Sequence, residues 1–334
     1  MKATFLYLIF AFSFLSVIAQ NGHSVFGFLD FPVSSHANAL GGENISIVGA
    51  DLSMVGHNPA LLGPEMHNQL ALHYAHYLNS INAAGFQYAR AIKDNGAWAI
   101  GLRYLDYGTF TQTTPDNTVV GSFGAKDLAV DGTIGYDIAT RWRGGVTAKL
   151  LYSSYEQYTS VALAVDLGIN YFNPNNTASF SLVLRNLGGQ IKTFQDTRES
   201  LPLDLQIGYS QFLAHAPFRF SVTAYNLLKW KTDFIDDVVQ ENEQGNEKKS
   251  NFAKDLFRHL TFGIDYIPSD HFYVALGYNY KRQVDFKDGG GFLPGFSAGA
   301  GVQIRMFDIQ ASIARHHRSG TSLMLGVNLL IDKF

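Results

Sequence analysis

The feature that most constrains this chain is a period-two alternation that runs through its last strand-length stretch. From Leu323, the odd positions Leu323, Leu325, Val327, Leu329 and Ile331 are large and apolar, while Ser322, Gly326, Asn328 and Asp332 interleave with them. Successive side chains of a β-strand point to opposite faces, so the stretch presents one apolar face and one small or polar face. Its length, about ten residues, is what a tilted strand needs to cross a bilayer.

The pattern recurs along the chain. Trp98, Ile100, Leu102 and Tyr104 oppose Ala99, Gly101 and Arg103, and Val161, Leu163, Val165, Leu167 and Ile169 oppose Ala162, Ala164, Asp166, Gly168 and Asn170. Leu203, Leu205, Ile207 and Tyr209, then Leu260, Phe262, Ile264 and Tyr266, then Phe296, Ala298, Ala300, Val302 and Ile304 repeat it. Charges stand on the second face. One face suits lipid and the other a wet or plugged lumen, which is the signature of an all-β, transmembrane antiparallel β-barrel.

The spacing predicts about fourteen strands, over 68–78, 81–92, 96–107, 126–139, 141–154, 158–172, 177–187, 203–213, 216–228, 256–268, 270–282, 294–305, 306–316 and 320–332. The long connections, 108–125, 188–202, 229–255 and 283–293, all follow odd-numbered strands. Outer-membrane barrels have short periplasmic turns and longer external loops. Parity therefore puts both termini in the periplasm of a Gram-negative cell and the long loops outside. The last strand is expected to close the sheet against Leu70–Tyr74, and the terminal Phe334 to act as the aromatic signal for barrel insertion. Tyr104, Tyr107, Tyr136, Trp142, Tyr171, Phe172, Tyr209, Tyr266 and Tyr280 fall near strand ends, as aromatic girdles at the two interfaces would.

Composition agrees. Charged residues are 16%, against about a quarter in an ordinary soluble domain, and aromatics are 14%. The net charge of −3 gives no basic patch that would suggest nucleic acid, so no nucleic-acid partner is expected. Cysteine is absent, which removes disulfides, thiolate catalysis and Cys-based metal sites. At the N-terminus, Lys2, an apolar run over Phe5–Ile18 and small residues at Val17 and Ala19 read as a signal peptide over 1–19. The remaining chain divides at the onset of alternation, into a segment over 20–66 and a barrel over 67–334.

The segment before the barrel does not alternate. A short helix is predicted near Ser34–Leu40, with Ser34 or Ser35 as N-cap and Gly41 as its stop. Asp51 is placed to cap a following turn, and Asn58 before Pro59 should be extended or in a turn. With too little apolar face to fold alone, the segment is expected to pack inside the barrel as a hatch.

No enzyme chemistry is legible. His73 and His76 point to opposite faces of a strand, His316 and His317 sit at a predicted hairpin tip, and no third ligand stands at metal-site spacing, so no metal site is expected. Asp236 and Asp237 lie in a polar loop with nothing to perturb them. Gly289–Gly291 lacks the Lys that a phosphate loop requires. Cofactors and catalytic residues are expected to be none. Arg103, Asp131, Lys149, Asp166, Arg185, Asp204, Asp265 and Arg305 fall on the lumen face and should pair with one another or with the hatch.

The combination of Leu40-Gly41-Gly42, then Asp51, then Asn58-Pro59-Ala60 ahead of the first strand resembles the hatch of the FadL-type superfamily of outer-membrane fatty-acid channels. Within it, Gly27–Gly42, Gly49–Leu62 and the terminal LLIDKF are most similar to the PorQ-type components of the type IX protein secretion system. The superfamily resemblance implies a fourteen-stranded barrel with its N-terminal segment in the lumen. The PorQ-type resemblance implies a non-enzymatic membrane anchor that docks a PorZ-like surface protein, alongside a PorU and PorV pair, with outer-membrane lipid around the barrel. The wider superfamily implies instead passive uptake of a hydrophobic small molecule, which requires an apolar pocket beside the hatch. Gly22–Phe31 is a shorter N-terminal arm than those channels carry.

Overall fold

A computed structural model describes residues 25–77, 80–174, 177–196, 198–229, 252–285, 294–317 and 320–333. The expected signal peptide, residues 230–251 and Phe334 lie outside the described residues. The strands are β1 (Gln69–His76), β2 (Asn82–Ile92), β3 (Gly96–Thr113), β4 (Val119–Ala139), β5 (Trp142–Tyr155), β6 (Tyr158–Asn173) and β7 (Ala178–Lys192). They continue with β8 (Asp204–Phe212), β9 (Phe218–Ala224), β10 (Leu260–Ser269), β11 (Phe272–Asn279), β12 (Phe296–Ile304), β13 (Phe307–His317) and β14 (Gly320–Leu330). Each pairs antiparallel with its sequence neighbours, and β1 pairs with β14 to close the barrel. At the seam Leu70 lies opposite Leu329 and Tyr74 opposite Leu325, within the stretch expected to meet the last strand. Closure leaves no edge, the condition for a sheet to stand in lipid.

The two faces are sharply different. Outward side chains such as Leu150, Leu163, Leu276 and Ile313 are each about half exposed and form an apolar belt. Inward positions on the same strands are buried and small or polar: Lys149, Ala164, Ala275 and Ser312. An aromatic ring borders the belt at the short-turn rim, where Trp142 meets Tyr171 at 5.0 Å and Phe218 meets Tyr266 at 5.2 Å.

Four expectations are corrected. The loop expected over 108–125 is mostly strand: Thr109 pairs with Gly124 and Phe110 with Phe123, beyond the last partners of β2 and β5 at Asp106 and Ala125. Thr, Phe and Val on both arms favour pairing, and a tight turn from Thr114 to Thr118 joins them. A two-stranded ribbon therefore stands above the long-loop rim. Helices α1 (Ser35–Ala39), α2 (Phe252–Arg258) and α3 (Tyr280–Asp285) are the α-helices among the described residues. The last two occupy positions expected as loop or strand, and α3 begins because the Asn279 side chain accepts the Arg282 N–H at 3.1 Å.

Arg305 does not face the lumen: β12 ends at Ile304, and Arg305 takes φ +54° in the exposed turn before β13. Three girdle residues are also placed elsewhere. Tyr107 turns inward to donate its hydroxyl to Asp127 at 2.7 Å, Phe172 lines a cavity at the short-turn rim, and Tyr280 sits on α3 against Phe257. The β14 end stands at the short-turn rim, whereas Val25, the first described residue, is at the long-loop rim, bonded to Ser200 O at 3.1 Å.

Candidate functional site

The hatch fills the lumen, and its local signals fold as the sequence dictates. Ser34 Oγ accepts the Ala37 N–H at 3.2 Å and starts α1, which ends at Leu40 where Gly41 and Gly42 take φ +99° and +97°. Asp51 accepts the Ser53 N–H at 3.0 Å and caps a 3-10 turn over Leu52–Gly56. Asn58 is extended at φ −149°, accepts the Ala60 N–H at 2.9 Å and donates to Ile45 O at 2.8 Å, which ties two hatch strands of chain together.

The seven expected hatch residues do not form one site. Leu40, Gly41 and Gly42 lie against β10, β11 and β12 toward the long-loop rim. Asn58, Pro59 and Ala60 lie against β5 and β6 toward the short-turn rim. Both ends seat on inward glycines, where a Cβ would collide with hatch backbone: Gly277 faces the Leu40–Gly41 peptide, and Gly145 faces the Pro59 carbonyl and the Ala60 N–H. The glycines on the polar face of the alternation are thus the bed on which the hatch lies.

Asp51, at the middle, does more than cap. It also accepts from Gln310 at 3.0 Å and Asn328 at 2.9 Å, on β13 and β14, and stands 3.6 Å from His36 Nδ1. His36 Nε2 lies 2.9 Å from Asp265, which accepts from Arg219 at 2.8 Å, and the imidazole stacks on Tyr273 at 4.3 Å. Burial pulls the His36 pKa down, but the Asp265 and Asp51 carboxylates outweigh it and lift it to about 9. Burial pushes Asp51 up, and its bonds to His36, Ser53 and Gln310 reverse this to about 2. His36 was not singled out in the sequence, because a lone His in a short helix gives no signal until the barrel brings Asp265 to it.

A second polar cluster holds the other side. Arg185 donates to Glu43 at 3.3 Å and to Leu29 O at 3.2 Å, Gln206 donates to Glu43 at 3.2 Å, and His57 stands 3.9 Å from the same carboxylate. Of the other expected lumen charges, Lys149 pairs with Asp166 at 2.5 Å, Asp131 lies opposite Lys149 in register, and Asp204 accepts from Gln206 and from the Asn226 N–H. His73 is buried and His76 exposed on the opposite face, the side chains of His316 and His317 lie outside the described residues, and no group of three acidic or His residues is placed for a metal among those described.

On the long-loop side of the hatch the lumen becomes apolar. Phe26, Phe28 and Leu29 of the Val25–Phe31 arm pack with Tyr77, Leu105, Leu151, Leu201 and Met324. The space left beside them, lined by Phe28, Phe31, His73 and Arg103 among others, is about 20 Å³, room for about one water. This chamber was missed from the sequence, although a signal existed: at Tyr104-Leu105, Leu150-Leu151 and Leu323-Met324-Leu325 the alternation fails and both faces are apolar. At the short-turn rim a larger cavity of about 410 Å³ opens beneath the hatch, lined by Val48, Ala60, Leu61, Arg143 and Phe172 among others. There Arg143 clamps the hatch exit, 2.6 Å from Glu65 and 2.5 Å from Asp137.

No family model matches the chain, and no curated protein matches it in sequence. Solved structures do match in fold. The Pseudomonas putida toluene transporter TodX superposes with a TM-score of 0.53 at 12% identity, over 89% of this chain and 96% of TodX. A Pseudomonas aeruginosa FadL homologue gives 0.52 at 9% identity, over 89% and 98% of the two chains. The chain has the closed fourteen-stranded fold of these FadL-family outer-membrane barrels.

Proposed function

We propose that this chain is a hatch-closed passive channel for hydrophobic small molecules in an outer membrane, with its short turns in the periplasm. The observation that carries the reading is the apolar chamber on the long-loop side of the hatch, where Tyr77, Leu105, Leu151 and Met324 of the barrel surround the arm. Its tenant is the chain's own arm, which a ligand entering from the long-loop rim displaces. Burying Phe26, Phe28 and Leu29 is worth roughly 1.5–3 kcal/mol each, so the displacing molecule must bury a comparable area, as a long acyl chain or a polycyclic compound does. Each strand is hydrogen-bonded to both neighbours around the barrel, so the onward route we assign passes the hatch into the cavity at the short-turn rim. The shared fold with a toluene transporter supports the same reading, as fold-level analogy. Deleting 25–31 is expected to raise the affinity of the purified barrel for a fluorescent fatty-acid analogue. No binding by either protein contradicts the reading.

A second reading is a non-conducting anchor of the type IX secretion system that carries a PorZ-like surface protein, with PorU-like and PorV-like partners. What supports it is the filled lumen, with about 20 Å³ left in the chamber, and the Leu40-Gly41-Gly42 and Asn58-Pro59-Ala60 elements. The ribbon of β3 and β4 above the rim offers such a partner a raised surface. Gentle extraction of a tagged chain separates the readings: co-purification of a large surface protein that is lost from the cell surface on deletion supports the anchor. A chain recovered alone, whose deletion reduces only hydrophobic uptake, supports the channel.

A further inference from the structure

The hatch's Gly41–Gly42 turn is held from above, by elements of the long-loop rim. Asn279, buried at the end of β11, is the hub. Its Nδ2 donates to Gly41 O at 3.2 Å and to Thr261 Oγ1 at 3.3 Å. Its Oδ1 accepts from Tyr225 OH at 3.1 Å and from the Arg282 N–H that begins α3, also at 3.1 Å. Arg282 then sends its guanidinium from α3 down onto Gly42, where a Cβ would overlap it. From below, Gly41 N–H donates to Ser297 Oγ at 2.9 Å, which in turn donates to Ala39 O at 2.7 Å.

The rim elements are themselves one unit. Phe257 of α2 meets Tyr280 of α3 at 6.0 Å, and α2 leads into His259, whose carbonyl accepts the Tyr225 N–H at 2.9 Å. Both polar atoms of the Asn279 side-chain amide and the Gly41 peptide therefore belong to one hydrogen-bonded network that reaches α3, whose Arg282 packs over Gly42. Moving α2 and α3 breaks bonds to the hatch turn, and lifting the hatch turn removes the floor under Arg282.

We propose that the α2–α3 pair is the outer handle of the hatch: displacement of these rim helices and unseating of the Gly41–Gly42 turn are a single coupled event. Whatever binds or passes at the long-loop rim can then reach the hatch without touching it. The coupling is a physical linkage between two positions of one element, seated and unseated, biased from both ends. It concerns how the hatch is governed and holds under either functional reading.

The chain has no cysteine, so Ser46→Cys introduces a sole thiol at a fully buried hatch position. Its labelling by a maleimide reports hatch release. In that background Asn279→Ala is expected to speed labelling about tenfold, the effect of losing one buried hydrogen-bonded anchor, and Arg282→Ala, which removes the guanidinium packed over Gly42, to speed it in the same direction. Gln112→Ala, on the β3–β4 ribbon away from the hatch, should leave it unchanged. Parental rates in both variants, with the heat-dependent gel shift of a folded barrel retained, overturn the proposal, and so does equal acceleration by Gln112→Ala. Native-state hydrogen exchange on the unsubstituted chain tests it without any variant. Amides of α3 and of Gly41–Glu43 should merge into one opening isotherm as denaturant rises; α3 opening while the hatch amides stay protected also overturns it.

Discussion

His36 shows how much of the hatch's hold comes from a single side chain. Its ring lies between the Asp265 and Asp51 carboxylates, with Arg219 on β9, Asp308 on β13 and the Tyr273 ring completing its surroundings. The folded pKa of about 9 lies above the ordinary 6.5, so protonated His36 stabilises hatch docking fully below about pH 6.5 and the contribution is lost as pH rises through about 9. Asp51 has the opposite sign: depressed from 3.8 to about 2, it stabilises above about pH 4 and fails only as pH falls through about 2. The contributions of His36 and Asp51 to the resistance of the hatch to limited proteolysis should therefore both be present from about pH 4 to 6.5, and that of His36 should be lost toward pH 9. His36→Gln should abolish the alkaline fall and cost up to ~3 kcal/mol of docking at pH 6, since Asp265 keeps only Arg219. A variant with an unchanged alkaline profile would remove His36 from the account.

Elements differ in how plainly the sequence announces them. The membrane strands were legible because lipid on one side and a packed lumen on the other impose period two, and the closure of β14 against β1 near Leu70–Tyr74 was read with them. The caps at Ser34 and Asp51 were legible because each is a local bond, complete within three residues, and the extended Asn58 because Pro59 follows it. What was not legible depends on contacts distant in sequence. The ribbon over 107–124 lacks a lipid face, so only the β-propensity of its Thr, Phe and Val marked its residues as strand. The inward apolar chamber appeared only as lapses in alternation, and the Asn279 network needs four separate elements to meet. Since the ribbon pairs only with itself beyond Asp106 and Ala125, replacing 108–124 by a two-residue turn should leave the barrel intact. Its heat-dependent gel shift should persist, and loss of the shift would show that the ribbon is needed for closure.

At the scale of the whole molecule, the barrel belongs in a membrane because its largest apolar surface is outside. Leu150, Leu163, Leu276 and Ile313 would be a large aggregation-prone surface in water, and they are a belt in lipid. A charge there should be costly by about 2–4 kcal/mol at mid-depth, so Leu150→Arg is expected to reduce the yield of folded barrel in vesicles. Ser312→Ala, on the inward face, should affect mainly the hatch, whose Ser35 and Asn38 it contacts. Equal losses for both would contradict the assignment of faces. On the proposed reading a fourteen-stranded membrane barrel is sealed by its own residues 25–66. Conductance across a planar bilayer tests this most directly. The full chain should be electrically silent, while the chain lacking 25–66 should open steady, uniform pores. Steady conductance by the full chain, or silence from an inserted hatch-less barrel, would contradict it.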